Sequence, residues 1–416
     1  MQYNRIFDLI VIGGGPSGMM CAGRASEKGS RVLLIEKNKE LGKKLSLTGG
    51  GRCNITNAEF NNRAFLENFP EAKEFLFSPF SKFSVQDTFD FFEKKGLPLV
   101  IEARKRAFPK TQKAEDVVVV MANYVKKNNV ELKLGEKVIG MTKSKDGNFN
   151  IETKSGVYTG KKVALASGIG GEGVAILEKL GHTVKEPNPN LVPLTTSAKW
   201  VHELSGVTLS FMTIRFRQNN KNVLKKTGKI LFTHFGISGP LILNSSFEVK
   251  KLLNKGTVEA SIDMFPDTEE NELDKRIVKL FDRNKNKLLK NVLPELMNKS
   301  LAEQILNLPD IALAPRSLGG VGVTKEERKM LVKKLKDLTF PITGTLGFEK
   351  ALIADGGVAL DEVNFKNMTS KLHPNLYLLG DVLDINRPSG GFSLQLCWTT
   401  GWVAGDDITK RIENGK

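Results

Sequence analysis

Residues 8–57 read DLIVIGGGPSGMMCAGRASEKGSRVLLIEKNKELGKKLSLTGGGRCNITN, and their opening half decides the fold. Leu9 to Ile12 is an unbroken apolar run, the pattern of a parallel strand buried on both faces. Gly13-Gly14-Gly15-Pro16-Ser17-Gly18 follows at once and fits G-x-G-x-x-G. In that motif Gly13 permits the tight turn, Gly15 lets a pyrophosphate approach the backbone, and Gly18 lets the helix pack on the strand. A helix is predicted to about Lys28, its first amides aimed at the phosphate, with Gly29 as its stop and Arg31 to Ile35 as the second strand. Glu36 then stands where an acid hydrogen-bonds a ribose diol, with Lys37 beside it. A structural glycine turn is the alternative, but the strand, helix and acid around the motif favour an adenine dinucleotide. A Glu here disfavours a 2′-phosphate, leaving FAD or NAD ahead of NADP.

Outward from this unit, 416 residues suffice for two or three domains, and 40% hydrophobic with 26% charged residues is an ordinary globular composition. No apolar run has membrane-spanning length and no signal peptide is read, so the expectation is a cytoplasmic protein. Three scattered cysteines and four histidines form no disulfide framework and no metal site. The net charge of +16 has two readings. It is either a surface for a polyanion such as RNA, or the Lys- and Asn-rich bias of an AT-rich genome.

Along the chain, 64–97 reads as helical, 104–113 (RKRAFPKTQK) as a basic loop, and 114–128 as a helix. Val130–Leu134, Lys137–Lys143, Phe149–Thr153 and Gly156–Tyr158 read as a β-meander, followed by a buried parallel strand at Val163–Ala166. Pro187-Asn188-Pro189 marks a boundary, after which 191–263 is strand-like and 269–338 helical. Beyond Thr345 the pattern returns to strands, including Asn375–Asp381, and 393–412 is a closing helix.

Four glycine-rich segments make sense around one cofactor. The second, after the fingerprint, runs from Gly42 through Lys44, Thr48, Gly49, Gly50, Arg52, Cys53 and Asn54; its glycines let backbone lie against a flat ring or a phosphate, unless it is only a flexible loop. Arg52 and the lysines would then supply charge to a pyrophosphate or a substrate anion. The third is Gly380-Asp381, whose carboxylate is expected to reach a ribityl hydroxyl. The fourth, Gly390-Gly391-Phe392, opens the last helix, whose amides would face the flavin edge that gathers negative charge on reduction. Residues 168–173 repeat G-x-G-x-x-G, but no further βαβ follows. A flavin-side loop with Ser167 and Gly168 is therefore preferred to a second, nicotinamide-binding unit. Trp398 and Trp402 read as core.

These pieces resemble the BaiN/RdsA family of FAD-dependent oxidoreductases, the YhiN-like flavoproteins. The matching segments include VIGGGPSGMMCA, LGKKLSLTGGGRCNITN, RAFPKTQKAEDVV, LFTHFGISGPLIL and GDVLDINRPSGGFSLQLCWTTG, from near the N-terminus to the last helix. The resemblance implies an α/β fold: a glutathione-reductase-like FAD-binding Rossmann domain in two pieces, 1–190 and 345–416. Between them it implies an inserted β-barrel-like part, 191–268, and a helical part, 269–344. Two segments depart from the family pattern: the shortened 169–173, and Ala354-Asp355-Gly356-Gly357 where Thr-x-Gly-Gly is usual.

The family has been associated with small-molecule oxidation, with reduction of C=C bonds in sterol-like acids, and with dihydrouridine formation in ribosomal RNA. The charge and the basic segments favour the last, with FAD as cofactor and NAD(P)H as electron donor. Hydride would pass from reduced flavin to C6 of a uracil while an acid protonates C5. Cys53, as a thiol activated beside Arg52, and His234 are the candidate acids. Arg104, Arg106, Lys110, Arg215 and Arg217 are the expected substrate contacts. A small-molecule oxidase or ene-reductase is the alternative, and a non-catalytic FAD-containing RNA-binding scaffold the third reading.

Overall fold

The computed structural model describes residues 6–168, 172–190, 192–311, 313, 318, 322–346 and 353–413, with backbone only at 172, 186–190, 353–355 and 410–413. Two compact units divide the chain: Met1–Pro189 with Leu352–Lys416, and Asn190–Ala351. Each has its own apolar core.

Unit 1 is built on a parallel sheet in the order Leu376–Leu378, Val157–Leu165, β1 (Phe7–Ile12), β2 (Val32–Glu36), Glu131–Leu134. Leu9, Ile10 and Val11 are wholly buried because both faces of β1 are covered. Each such side chain contributes roughly 1.5–3 kcal/mol. Between β1 and β2 lies helix α1 (Pro16–Glu27), with Pro16 in its first turn, where no amide is needed, and Gly29 at φ 94° just past its end. The closing helix, Phe392–Glu413, lies against α1 through its own glycines. A Cβ on Gly401 would sit 2.5 Å from Ser17 O, and one on Gly405 2.8 Å from Cys21 O, so only glycine permits this approach.

Four expectations for unit 1 change. Glu131–Leu134 does not open a meander but extends the main sheet, parallel to β2. The strands expected at Gly156–Tyr158 and Val163–Ala166 are one strand, Val157–Leu165, which carries the hairpin Val138–Lys143/Phe149–Thr153 on its first half and β1 from Gly160 to Leu165. Gly160 within it is a close-packing position, since a Cβ there would lie 2.7 Å from Ile10 Cγ1. The basic loop is partly a strand, Arg106–Pro109, central in a three-stranded antiparallel sheet with Thr56–Asn57 and Leu99–Glu102. The helical stretch after residue 60 is three helices, Asn62–Leu66, Lys73–Lys82 and Val85–Lys94. The last of them starts at a reciprocal Ser84–Asp87 capping box.

Unit 2 is an antiparallel sheet of seven strands, with the long hairpin Thr208–Gln218/Lys221–Thr233 at its centre and Val258–Asp263 and Leu338–Ile342 beside it. Ile214, Phe216, Ile230, Phe232, Ala260 and Ile262 alternate inward and are almost fully buried. Pro240–Leu253 is a helix where strands were expected; Gly239 at φ 96° and Pro240 at the first turn set its start. Leu338–Ile342 is a strand inside the range expected to be helical. No helix among the described residues is long and apolar enough to cross a membrane. Nor, among them, is any group of three His, Cys, Asp or Glu side chains placed to hold a metal.

Candidate active site

The strand ends of unit 1 bring the glycine-rich segments together. Gly13, at φ 109°, turns so tightly that a Cβ would lie 3.0 Å from Ser167 Cα, and a Cβ on Gly18 would overlap the Gly13 carbonyl. Gly15 instead faces open space. No side chain caps the N-terminus of α1 and no acid lies in its first turn, so its amides are available to an anion. Glu36 is nearly buried; its carboxylate accepts from Gly14 N at 2.6 Å and Asn38 N at 2.8 Å, tying the glycine turn to the end of β2. A small open cleft of about 50 Å³ lies beside it, with Ile12, Ile35, Val138, Leu165 and Ile176 as an apolar lining and Glu36, Lys37, Glu136, Lys137 and Ser167 as its polar groups. Glu136, Lys137 and Val138 went unrecognised in the sequence because they belong to a hairpin entrance with no motif of its own. Gly168, at φ 74°, follows Ser167, and residues 169–171 of the shortened loop lie outside the described residues.

The C-terminal segments meet the N-terminal ones directly. A Cβ on Gly380 would lie 2.7 Å from Ser17 Oγ, which places the turn before Asp381 on the first residues of α1. Asp381 Oδ1 is buried without a hydrogen-bond partner. Gly390 and Gly391, both at positive φ, lead into the closing helix, and a Cβ on Gly391 would lie 2.6 Å from Asn57 N. Asn57 Nδ2 donates to Gly390 O and Arg104 O, each at 3.2 Å. Gln395, wholly buried, accepts from Thr56 and Thr88 hydroxyls and donates to Ser84 O and Thr399 Oγ1. Trp398 is core, its indole N–H on Ile55 O at 2.9 Å. The Phe392 ring packs on Phe65 and Phe69 and borders Gly390, where a Cβ would lie 3.5 Å from it.

Gly49, Gly50 and Gly51 all adopt positive φ, as do Cys53 next to them and Arg104, Lys105 and Gln112 on the neighbouring loop. Left-handed backbone at non-glycine residues is costly and concentrates at functional sites. Gly50 and Gly51 have no atom near a would-be Cβ and present open backbone; Lys43 and Lys44 are exposed, and the Thr48 hydroxyl is held by Leu45 O at 2.7 Å. Asn54 Oδ1 is buried and unpartnered.

Two expectations for this loop fail. Arg52 does not offer a free charge: Nη1 donates to Glu102 at 2.9 Å and Gln112 at 2.8 Å, and the guanidinium lies 4.1 Å over the Phe108 ring. Cys53 is wholly buried, and burial pushes its thiol up to about 12 against a hydrogen bond with Thr48. It is neither activated nor reachable, because desolvation of the thiolate outweighs any cation nearby.

The expected substrate contacts divide. Arg104 and Lys110 are exposed on the strained loop, and Arg106 donates to Ala103 O and borders Phe108. Arg215 and Arg217 do not present free charge: Arg215 pairs with Asp263 at 3.2 Å, and Arg217 grips Asp337 through both terminal nitrogens at 3.0 and 2.7 Å. In strands, a basic pair reads the same whether it faces solvent or an acid two strands away. His234 is exposed on the turn Thr233–Gly236 of unit 2, edge-on to Phe235.

With this geometry in view, comparison with known proteins is decisive for the family. The HI0933-like protein Rossmann domain model matches residues 7–407. The chain belongs to the HI0933-like family. It is 28% identical, over 97% of its length and 98% of theirs, to the ribosomal RNA dihydrouridine synthase of Escherichia coli. To the 3-dehydro-bile acid delta(4,6)-reductase of Clostridium scindens it is 26% identical over 96% of its length and 98% of the relative's. In fold it is similar to 3-ketosteroid delta1-dehydrogenase from Sterolibacterium denitrificans, with a TM-score of 0.56 at 10% identity covering 98% of this chain and all of that one. Unit 1 is a Rossmann-type FAD-binding domain, and this HI0933-like chain is a flavin-dependent oxidoreductase.

Proposed function

We propose that the protein reduces uridine to dihydrouridine in ribosomal RNA, with FAD held in unit 1 and NAD(P)H as the electron donor. The residues present fit FAD. Uncapped amides at Ser17 and Gly18 suit its pyrophosphate, with Gly13, Gly15 and Pro16 shaping the turn. Glu36 and Lys37, beside the apolar cleft and Ser167-Gly168, suit the adenosine. The partly exposed Asp381 carboxylate suits a ribityl hydroxyl, and the loop Thr48 to Asn54, open at Gly50 and Gly51, together with the turn Gly390 to Phe392, suits a flat ring. Bound and reduced, the flavin supplies the hydride for C6 of the uracil. The protein must then hold a flipped base, grip the phosphates beside it and protonate C5. With Cys53 withdrawn, His234 is the proposed proton donor.

The observation that carries the RNA reading is the placement of free cations. From Thr208 to Thr233 there are six basic residues and no acidic one. The two arginines and Lys226 are paired with acids, but Lys221, Lys225 and Lys229, four residues apart in turn along Lys221–Thr233, are exposed. With Arg104, Arg106 and Lys110 they replace Arg215 and Arg217 as the proposed phosphate contacts. Whole-chain similarity to two ribosomal RNA dihydrouridine synthases supports the same reading.

Nucleosides from ribosomal RNA of a deletion strain test it: dihydrouridine is expected to fall, and undiminished dihydrouridine sinks the RNA substrate. A second reading, ene-reduction of a small polycyclic acid, is favoured by the bile-acid reductase at nearly equal identity. It predicts turnover of such an acid and no RNA retention at physiological salt. Stopped-flow reduction with NADH and NADPH identifies the donor.

A further inference from the structure

Arg387 is the most unexpected side chain in the molecule, an arginine with no exposed surface at all. It sits in the segment between Asp381 and Gly390. Its guanidinium donates to three backbone carbonyls: Ile385 O from Nη1 at 2.9 Å, and Gly380 O and Leu383 O from Nη2 at 2.9 and 2.8 Å. Carbonyl dipoles alone do not balance a buried cation, which requires an opposite charge nearby. The charge that faces Nε is Asp381, with Oδ1 at 3.5 Å. Neither Nε nor Oδ1 has a hydrogen-bond partner, although both are buried.

This is a charge pair without a hydrogen bond between its members. The cation fixes the direction of the carboxylate through Oδ1, and the three carbonyls fix the cation, while the partly exposed carboxylate keeps its other oxygen free to accept. The same fork pins Gly380 O, and Gly380 packs on Ser17 at the start of α1. One buried side chain therefore holds both the acid and the turn that sets it against the dinucleotide fingerprint.

We propose that Arg387 is a positioning residue for the cofactor: it holds Asp381 by charge with one oxygen left open for a ribityl hydroxyl of FAD. The inference rests on the FAD reading of unit 1. It explains why an arginine is tolerated where the burial rule for charged side chains disfavours one. It also assigns Asp381 a partner within its own turn, so that the acid needs no contact from elsewhere.

The test is a double-mutant cycle read as FAD affinity, measured by titrating deflavinated protein and following quenching of flavin fluorescence. Asp381→Asn and Arg387→Met are each expected to weaken binding about tenfold, the scale of one charge-assisted hydrogen bond. The double variant is expected to bind no more weakly than the worse single one, because Arg387 acts through Asp381. Arg387→Lys keeps the charge, loses the fork, and is expected to recover part of the affinity; it also serves as the readout should Arg387→Met fail to fold. Independent, multiplying losses, or an Arg387→Lys variant no better than Arg387→Met, would overturn the proposal. Wild-type protein that binds no FAD would overturn the FAD reading instead.

Discussion

The two units treat polar groups in opposite ways. In unit 2 the charges that the sheet draws out of solvent satisfy one another, while Lys221, Lys225 and Lys229 stay exposed: Arg215 pairs with Asp263, Lys336 with Asp263 at 2.9 Å, Arg217 with Asp337, and Ser261 with Asp337. In unit 1 all six buried side-chain atoms without a hydrogen bond are gathered, among them Asn54 Oδ1 and Asp381 Oδ1; among the described residues unit 2 has none. Orphaned buried polar atoms are costly, and three of the six, Asn54 Oδ1, Asp381 Oδ1 and Arg387 Nε, lie in the glycine-rich loop and turns of the candidate site, as a site for a polar ligand would leave them. Unit 1 keeps polar groups back for a ligand there, whereas the unpaired lysines on the central hairpin of unit 2 are exposed.

Four experiments sharpen or break that contrast. The largest effect is expected from Gly18→Val, because even a Cβ overlaps the Gly13 carbonyl; unit 1 should lose about 3 kcal/mol or more and the protein should purify without flavin absorbance. A yellow, stable variant would show that the fingerprint is not the cradle. Next, Lys221→Glu/Lys225→Glu/Lys229→Glu is expected to lower RNA affinity on the order of 10- to 100-fold and to flatten the log affinity–log salt slope by about 2. Flavin content should not change. Glutamates protect a strand edge from aggregation as lysines do, so unchanged RNA binding would assign the lysines to edge protection alone.

A smaller effect is expected within unit 2 from Asp337→Asn. Burial would raise the Asp337 carboxyl, but hydrogen bonds from Arg217 and Ser261 and the charges of Arg217 and Arg215 hold it below the usual carboxylate range. A depressed folded value stabilises above the unfolded value near 3.9 and loses that stabilisation as pH falls through the folded one. The variant should therefore be less stable by about 1 kcal/mol at neutral pH, solvent screening included, and lose less stability than wild type on acidification below about pH 4. Urea melts across pH measure this, and FAD affinity should stay as in wild type. The smallest effect is reserved for Cys53→Ala: about 1 kcal/mol in stability, less than about a twofold change in turnover, and in wild type no alkylation of Cys53 while folded. A tenfold loss of turnover would restore the thiol to the chemistry.

What could be read from the sequence was what local chemistry determines. The fingerprint, Glu36, the glycine loop and the turn before the closing helix follow from glycine spacing and strand–helix punctuation. Where distant residues decide, the reading failed. The strands read at Gly156–Tyr158 and Val163–Ala166 left 159–162 between them, yet Gly160 is needed for contact with Ile10, and Lys162 is buried with Nζ on Ile408 O. The helix Pro240–Leu253 was hidden by its β-branched and apolar opening, although Gly239-Pro240 signalled it. Arg387 was invisible because its partners are backbone carbonyls, and Arg215 and Arg217 were misjudged because their acids lie far along the chain.

The contact of Gly391 with Asn57, and of Gly380 with Ser17, also has a meaning in time. The ribosome emits the fingerprint first and the residues that complete its pocket more than three hundred positions later. At roughly 5–20 residues per second this is on the order of tens of seconds. Throughout that interval α1 exposes the face, Ser17 to Arg24, on which Gly401 and Gly405 later lie. A cradle that needs Gly380 and Gly391 against Ser17 and Asn57 is therefore completed long after its fingerprint is made.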